Sequence, residues 1–279
     1  MNGEGVAGSA VCSNWNVLRV GYNAAAEGNL LLVTNGGYLA SKGSVIGQLG
    51  SNNEARITGP GSIWDGAGST LVIGSGTTAK GNRLVITDDG TVDRFTTVTI
   101  NSNNFLQLLG GTLRVQAIAG NQGSLCTLGD GIQTARLNIQ GGSCSFDAGV
   151  WIQSNAVICG NGVLSGGTPG LVFTNGAILA PGETGSGPAV IGTLTLGASV
   201  WKAGMSLNLD VTNINGTRGA DWDFIQVNAP LAPDPAGGRI RINLDSRGVT
   251  EGFNPIRNFT IPLIGFPSSS LTTNDFEVN

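Results

Sequence analysis

Leu18-Arg19-Val20-Gly21, then Gly28-Asn29-Leu30-Leu31-Leu32-Val33-Thr34 and Gly37, recurs as Leu71-Val72-Ile73-Gly74, then Gly81-Asn82-Arg83-Leu84-Val85-Ile86-Thr87 and Gly90. The second phrase follows the first by 53 residues, from 18 to 71, with no gap. A weaker third copy places Gly129 after Gly74 and Leu137-Asn138-Ile139 after Leu84. A fixed internal period of this size marks a repeat architecture. Each unit cannot bury its own apolar face and must stack on its neighbours.

The units are built of short apolar runs of strand length: Leu71-Val72-Ile73, Val98-Thr99-Ile100, Leu113-Arg114-Val115, Ala156-Val157-Ile158, Leu171-Val172-Phe173, Leu194-Thr195-Leu196. Gly, Asn, Asp and Ser separate them, which is strand-and-turn punctuation. No segment carries apolar residues at helical spacing over three turns, and each interior glycine would cost a helix ~1 kcal/mol relative to alanine. The chain reads as all-β. Turns such as Gly36-Gly37, Gly110-Gly111, Gly141-Gly142, Asn161-Gly162 and Asn175-Gly176 supply the positive φ that sharp corners need. The expected fold over 1–180 is a β-solenoid, a parallel β-helix. A sandwich of Asn-Gly hairpins is the alternative, disfavoured because 53 residues exceed one hairpin.

Composition shifts near Ala180-Pro181-Gly182. Beyond it, Leu207, Leu209 and Val211 alternate with Asn208 and Asp210, which reads as a half-exposed antiparallel strand. Pro230, Pro233 and Pro235 mark an exposed loop. The expectation for 181–279 is a β-rich C-terminal region, a cap or a run of wider coils.

Composition narrows the function classes. Glycine supplies 46 of 279 residues, more than twice the usual ~7%. Charged residues make up 11%, against ~25% in typical domains. Ample aliphatics with few charges exclude a disordered chain. No apolar run approaches the ~18 residues of a membrane-crossing helix. Lys+Arg total 14 and Asp+Glu 18, a net charge of −4, so the basic footprint of a nucleic-acid binder is missing. The chain has no histidine. That removes Ser-His-Asp and Cys-His catalysis and the commonest metal ligand. The opening Met1-Asn2-Gly3-Glu4-Gly5 has no basic n-region and no apolar h-region, and the expectation is a mature or excised piece of a longer protein.

The repeat also carries a resemblance. Val20-Gly21, Gly28-Asn29-Leu30-Leu31-Leu32-Val33-Thr34-Asn35-Gly36-Gly37, Ile46-Gly47 and Thr58-Gly59-Pro60-Gly61-Ser62-Ile63-Trp64 resemble the repeat shared by type V secretion and PEP-CTERM surface proteins. Gly176-Ala177-Ile178-Leu179-Ala180-Pro181-Gly182 with Ile191-Gly192-Thr193-Leu194-Thr195-Leu196 is similar to the late passenger region of autotransporter-like proteins. The resemblance implies a secreted, β-helical passenger. It implies no catalytic motif, and neither the family's translocator barrel nor its sorting tail is expected within residues 1–279.

Several residues are candidates for chemistry. Cys126, Cys144 and Cys159 are 18 and 15 residues apart, about one coil each. Stacked coils ~4.8 Å apart would allow a disulfide or a buried free-thiol stack. Asp88, Asp89 and Asp93 and the pair Asp221 and Asp223 could be compared with the carboxylates of β-helix polysaccharide enzymes, but Asp88-Asp89-Gly90 occupies a turn and the others suit backbone donors. Trp64 and Trp151 are the candidates for stacking on a glycan. The apolar stretch with Phe259, Ile261, Leu263, Ile264 and Phe266 is the candidate self-association strand, with a self-covering cap as its alternative. No metal, cofactor or catalytic centre is expected. The expected role is a non-enzymatic secreted or cell-surface structural protein that forms homo-oligomers, fibres or matrix. The alternative is an adhesin-like module binding a glycan or surface.

Overall fold

The computed structural model describes residues 11–14, 16–182, 190–231, 237–246 and 260–279. Among them there is no α-helix, and a single 3-10 turn spans Thr273–Asp275. Parallel strands make two sheets. The narrow sheet has eight strands: Leu30–Val33, Glu54–Thr58, Arg83–Thr87, Phe105–Leu108, Leu125–Leu128, Val150–Ile152, Leu171–Phe173 and Ser199–Trp201. The wide sheet has sixteen strands, many of them long, such as Ile63–Ile73, Gly90–Ile100, Ala135–Phe146 and Ala156–Gly166. The chain alternates between the sheets, and each strand pairs in parallel with its counterpart one coil away. This is the β-solenoid that the repeat predicts.

Side-chain columns run down the interior. One on the narrow sheet is Val33, Ile57, Ile86, Leu108, Leu128, Ile152, Phe173 and Trp201, in continuous register and buried throughout. Facing it on the wide sheet is Leu39, Trp64, Val92, Leu113, Leu137, Ile158, Leu179, Leu207 and Ile242. Alternate residues point outward, so one face of each sheet is core and the other is wall.

Narrow-sheet strands begin at 30, 54, 83, 105, 125, 150, 171 and 199. The 53-residue repeat therefore spans two coils. Leu31 pairs with Ala55, and Ala55 with Leu84. Leu31 and Leu84 occupy one column, two layers apart.

The parallel ladder crosses position 180 without a break. Ile178–Pro181 pairs with Ala156–Gly166 on one side and Ser206–Asp210 on the other, and Ser206–Asp210 pairs with Ile240–Asp245. The Ser206–Asp210 strand is thus parallel, which corrects the antiparallel expectation. Alternation misleads here because a solenoid's parallel sheet, unlike one covered by helices on both faces, keeps an outer face in water. Leu207 and Leu209 do point into the core.

Candidate functional site

An asparagine ladder fixes the corner where the wide sheet turns into the narrow one. Asn29, Asn53, Asn82 and Asn104 each precede a narrow-sheet strand. Asn29 donates from its backbone N–H (3.0 Å) and its Nδ2 (2.8 Å) to Asn53 Oδ1. Asn53 does the same to Asn82 Oδ1, at 2.9 Å each. Asn82 does the same to Asn104 Oδ1, at 3.0 Å each. Asn104 Nδ2 ends the series on the carbonyls of Ala79 and Ser102. Asn53, Asn82 and Asn104 are fully buried, and each buried amide group is matched, as the low-dielectric interior demands. Gly21, Gly47 and Gly74 line the facing side with φ of 80°, 73° and 75°. A Cβ on each would overlap the amide of Asn53, Asn82 and Asn104 respectively. Positive φ and close approach together require glycine there.

The outer wall of the wide sheet carries a polar cluster. Asp65, nearly buried, accepts from the Tyr38 hydroxyl, from the Arg94 guanidinium (Nε at 2.7 Å) and from the Ala67 N–H at 2.8 Å. Burial alone would raise the Asp65 carboxyl. Arg94, Tyr38 and the Ala67 N–H outweigh it and hold the group below its ordinary value. On the narrow wall, Glu54 is clamped by Arg56 and Arg83, both at 2.6 Å. Burial pushes that carboxyl up too, and the two arginines bring it below its ordinary value. Asp93 pairs with Arg114 at 3.3 Å. Arg83, Arg94 and Arg114 each lie one coil away from the carboxylate they engage, so these pairs tie coils together, while Arg56 pairs within its own strand.

Asp88 sits in the turn before Gly90, with φ of 48°. It accepts from Thr58 Oγ1 (2.9 Å) and Gln133 Nε2 (2.8 Å). Asp223 is buried and accepts from the N–H groups of Gly192 and Asp210, both at 2.8 Å. Asp221 accepts from the Thr217 N–H at 2.7 Å. Asp88 is thus held by side chains of other coils, and Asp221 and Asp223 by backbone donors.

The two candidate tryptophans part company. Trp64 lies in the core, edge-on to Phe95 with centroids 5.4 Å apart, and its Nε1 donates to Ser41 Oγ at 2.9 Å. It cannot stack on an external sugar, because the repeat phrase that contains it forms the wide sheet's inner column. Trp151 is on the outer face of the narrow sheet, 46% exposed. The Lys202 Nζ lies 5.4 Å from its ring centroid.

The cysteines are all free thiols. Coils here take 20 residues or more, so intervals of 18 and 15 fall short of one turn and the three do not form a column. Cys126 is in the narrow sheet beside Leu106, Cys144 in the wide sheet between Ile118 and Leu164, and Cys159 beside Asn138 and Ala180. Burial pushes the Cys126 thiol well above its ordinary value and the Cys144 thiol to about 12.

The candidate self-association strand pairs within its own chain. Ile264–Gly265 aligns with Ile225 and Gln226. The Leu263 carbonyl accepts from the Ile225 N–H at 3.0 Å, and the Pro262 carbonyl from Trp222 Nε1 at 3.0 Å. Ile261 is half-buried and Phe266 exposed. Phe259, like Pro233 and Pro235, lies outside the described residues.

The asparagine ladder was half visible in the sequence, since Gly28-Asn29 and Gly81-Asn82 align in the repeat. Asn53 and Asn104 belong to the intervening coils, which a two-coil period skips. The Tyr38–Asp65–Arg94 cluster left no local motif, because its members come from three coils. The chain matches no protein-family model, no curated protein and no solved structure.

Proposed function

We propose that this chain is the shaft of a secreted or cell-surface structural protein, a passenger-type β-solenoid that packs with copies of itself into fibres or matrix. The observation that carries the reading is the unbroken apolar column from Val33 to Trp201, braced by the asparagine ladder at the corner. Coils that contact only their neighbours make a rod whose stability adds along its axis. Such a rod carries load without needing a catalytic cleft. A net charge of −4 over 279 residues offers little repulsion between adjacent shafts.

Electron microscopy of the purified protein at physiological salt tests the assembly. Regular fibres or sheets are expected, and monodisperse particles across a wide concentration range would contradict it. Protease shaving of intact source cells tests the location. Cleavage of the protein on unpermeabilised cells is expected, whereas full protection with recovery in the cytosolic fraction would contradict surface display.

A further inference from the structure

The outer wall of the narrow sheet holds one pairing that the shaft reading does not use. Trp151 presents a half-exposed indole (46%) on a column whose next members are Val172 and Val200. Lys202 follows the last residue of Ser199–Trp201 and reaches back across two rungs to place Nζ over that ring, a cation–π contact. Among the described residues Lys202 has no carboxylate partner, although the chain is acidic overall. The arginines Arg56 and Arg83 on this wall, by contrast, share Glu54 as a carboxylate partner. An indole and an ammonium without a carboxylate partner among the described residues, 5.4 Å apart on the outer wall, define what would satisfy both. The ligand needs an apolar C–H face to pack on the exposed part of the indole and an anionic group to pair with the ammonium that lies over the ring. A pyranose bearing a carboxylate has that shape: axial C–H groups on one face and the acid at its edge. Thr127, one rung from Trp151 in the same register, and Gln153, two residues along the chain, add a hydroxyl and an amide for the sugar's O–H groups.

We propose that Trp151 and Lys202 form a binding subsite for a uronate-containing oligosaccharide. The site lies on the lateral wall, so it stays open when coils stack, and it recurs once per chain along an assembled fibre. It is shallow and contacts one ring. Its expected dissociation constant is on the order of 1 mM, with multivalent display supplying the rest.

The test is a titration of the purified full chain with a glucuronate-containing tetrasaccharide (a hyaluronan fragment), read by broadening of the ligand's own NMR signals. Saturable binding that weakens with added salt is expected. Trp151→Ala and Lys202→Gln should each lower affinity at least tenfold with an unchanged melting temperature, and Lys202→Arg should stay within about threefold. Chitotetraose, of equal length but neutral, should bind at least tenfold more weakly. No binding to the wild type, or binding unchanged by both variants, would overturn the proposal. Equal binding of chitotetraose would remove the role of Lys202 and overturn the uronate assignment. Equal binding of a tetraglutamate peptide would reduce the site to a generic charge contact and overturn the saccharide assignment.

Discussion

Asn82 Oδ1 accepts two hydrogen bonds from Asn53, one from the backbone N–H and one from Nδ2, both at 2.9 Å. One buried oxygen thus satisfies a main-chain donor and a side-chain donor of the coil above. Removing it strands both. Asn82→Ala should destabilise the protein by about 3 kcal/mol, since each buried unsatisfied group costs ~1–3 kcal/mol. Asn82→Asp should be no better at neutral pH, because a carboxylate cannot donate to Asn104 Oδ1. Urea unfolding curves check this through the midpoint at constant slope. A loss under about 0.5 kcal/mol, the range of an ordinary surface change, would mean the ladder contributes little.

Gly74, which faces the ladder, and Gly28, which does not, give a paired comparison. Gly74 and Gly28 both have positive φ, 75° and 66°. A Cβ at Gly74 would overlap the Asn104 amide, whereas at Gly28 nothing lies within 4 Å. Gly28→Ala should cost only the backbone penalty, about 1–2 kcal/mol. Gly74→Ala should cost at least twice as much, because the fully buried Asn104 must move and release its partners. Equal losses in thermal denaturation would show that backbone conformation alone accounts for both.

Acid should loosen the walls before the core. Asp65 and Glu54 both lie below their ordinary values of 3.8 and 4.5, the opposing effect of burial being outweighed by Arg94 and Tyr38 in one case and by Arg56 and Arg83 in the other. A carboxyl depressed in the folded state binds its proton first when unfolded. Its contribution is therefore full above the ordinary value and lost as pH falls through the folded one. Stability should drop progressively below about pH 4, and Asp65→Asn should flatten that drop while lowering stability at pH 7. The Tyr38 phenol is shifted the other way, chiefly by its hydrogen bond to Asp65 and then by burial. Its contribution should fade as pH rises above about 10. Denaturant midpoints measured across pH check both limbs.

The thiols should sort by position. Cys12 is exposed on the strand Val11–Asn14, while Cys144 and Cys159 are buried. Cys126 packs against the core with its thiol pushed up by burial. Thiolate is the reactive form, and burial suppresses both its formation and its access. Under native conditions a chromogenic disulfide reagent should titrate one thiol rapidly. The other three should react only on addition of denaturant. Two or more fast thiols would mean the core around Cys126 and Cys144 opens readily.

Much of the fold was legible because stacking repeats itself. Leu30–Val33 and Arg83–Thr87 repeat one pattern since both sit on the same wall of the same rod. The alternation at Leu207 and Leu209 identified a strand with one buried face but not its partner's direction, since parallel and antiparallel strands alternate alike when one face meets water. Trp64 showed the limit for sites. An aromatic inside a repeated phrase is there to pack, and only its register with Leu39 and Val92 reveals which face it takes. Trp151 stands outside the repeat, and its pairing with Lys202 spans 51 positions of sequence that no local motif connects. The cysteine spacing failed for a related reason, because coil length is not constant: narrow-sheet starts at 105, 125, 150 and 171 show coils stretching and contracting as corner loops change.

The central claim is that two coils fill each 53-residue unit, and a pair of spin-label distances tests it most directly. Leu30, Glu54, Arg83, Phe105 and Leu125 form one outward column in continuous register. Leu30 and Leu125 are more than half exposed and tolerate labels. In a Cys12→Ser background, Leu30→Cys with Leu125→Cys spans four rungs, about 19 Å at ~4.8 Å per rung. Arg83→Cys with Leu125→Cys spans two. Two-coil stacking predicts that the first electron–electron distance exceeds the second by about 10 Å. A difference near ~5 Å would make the repeat a single coil, and a first distance no longer than the second would contradict stacking along a common axis.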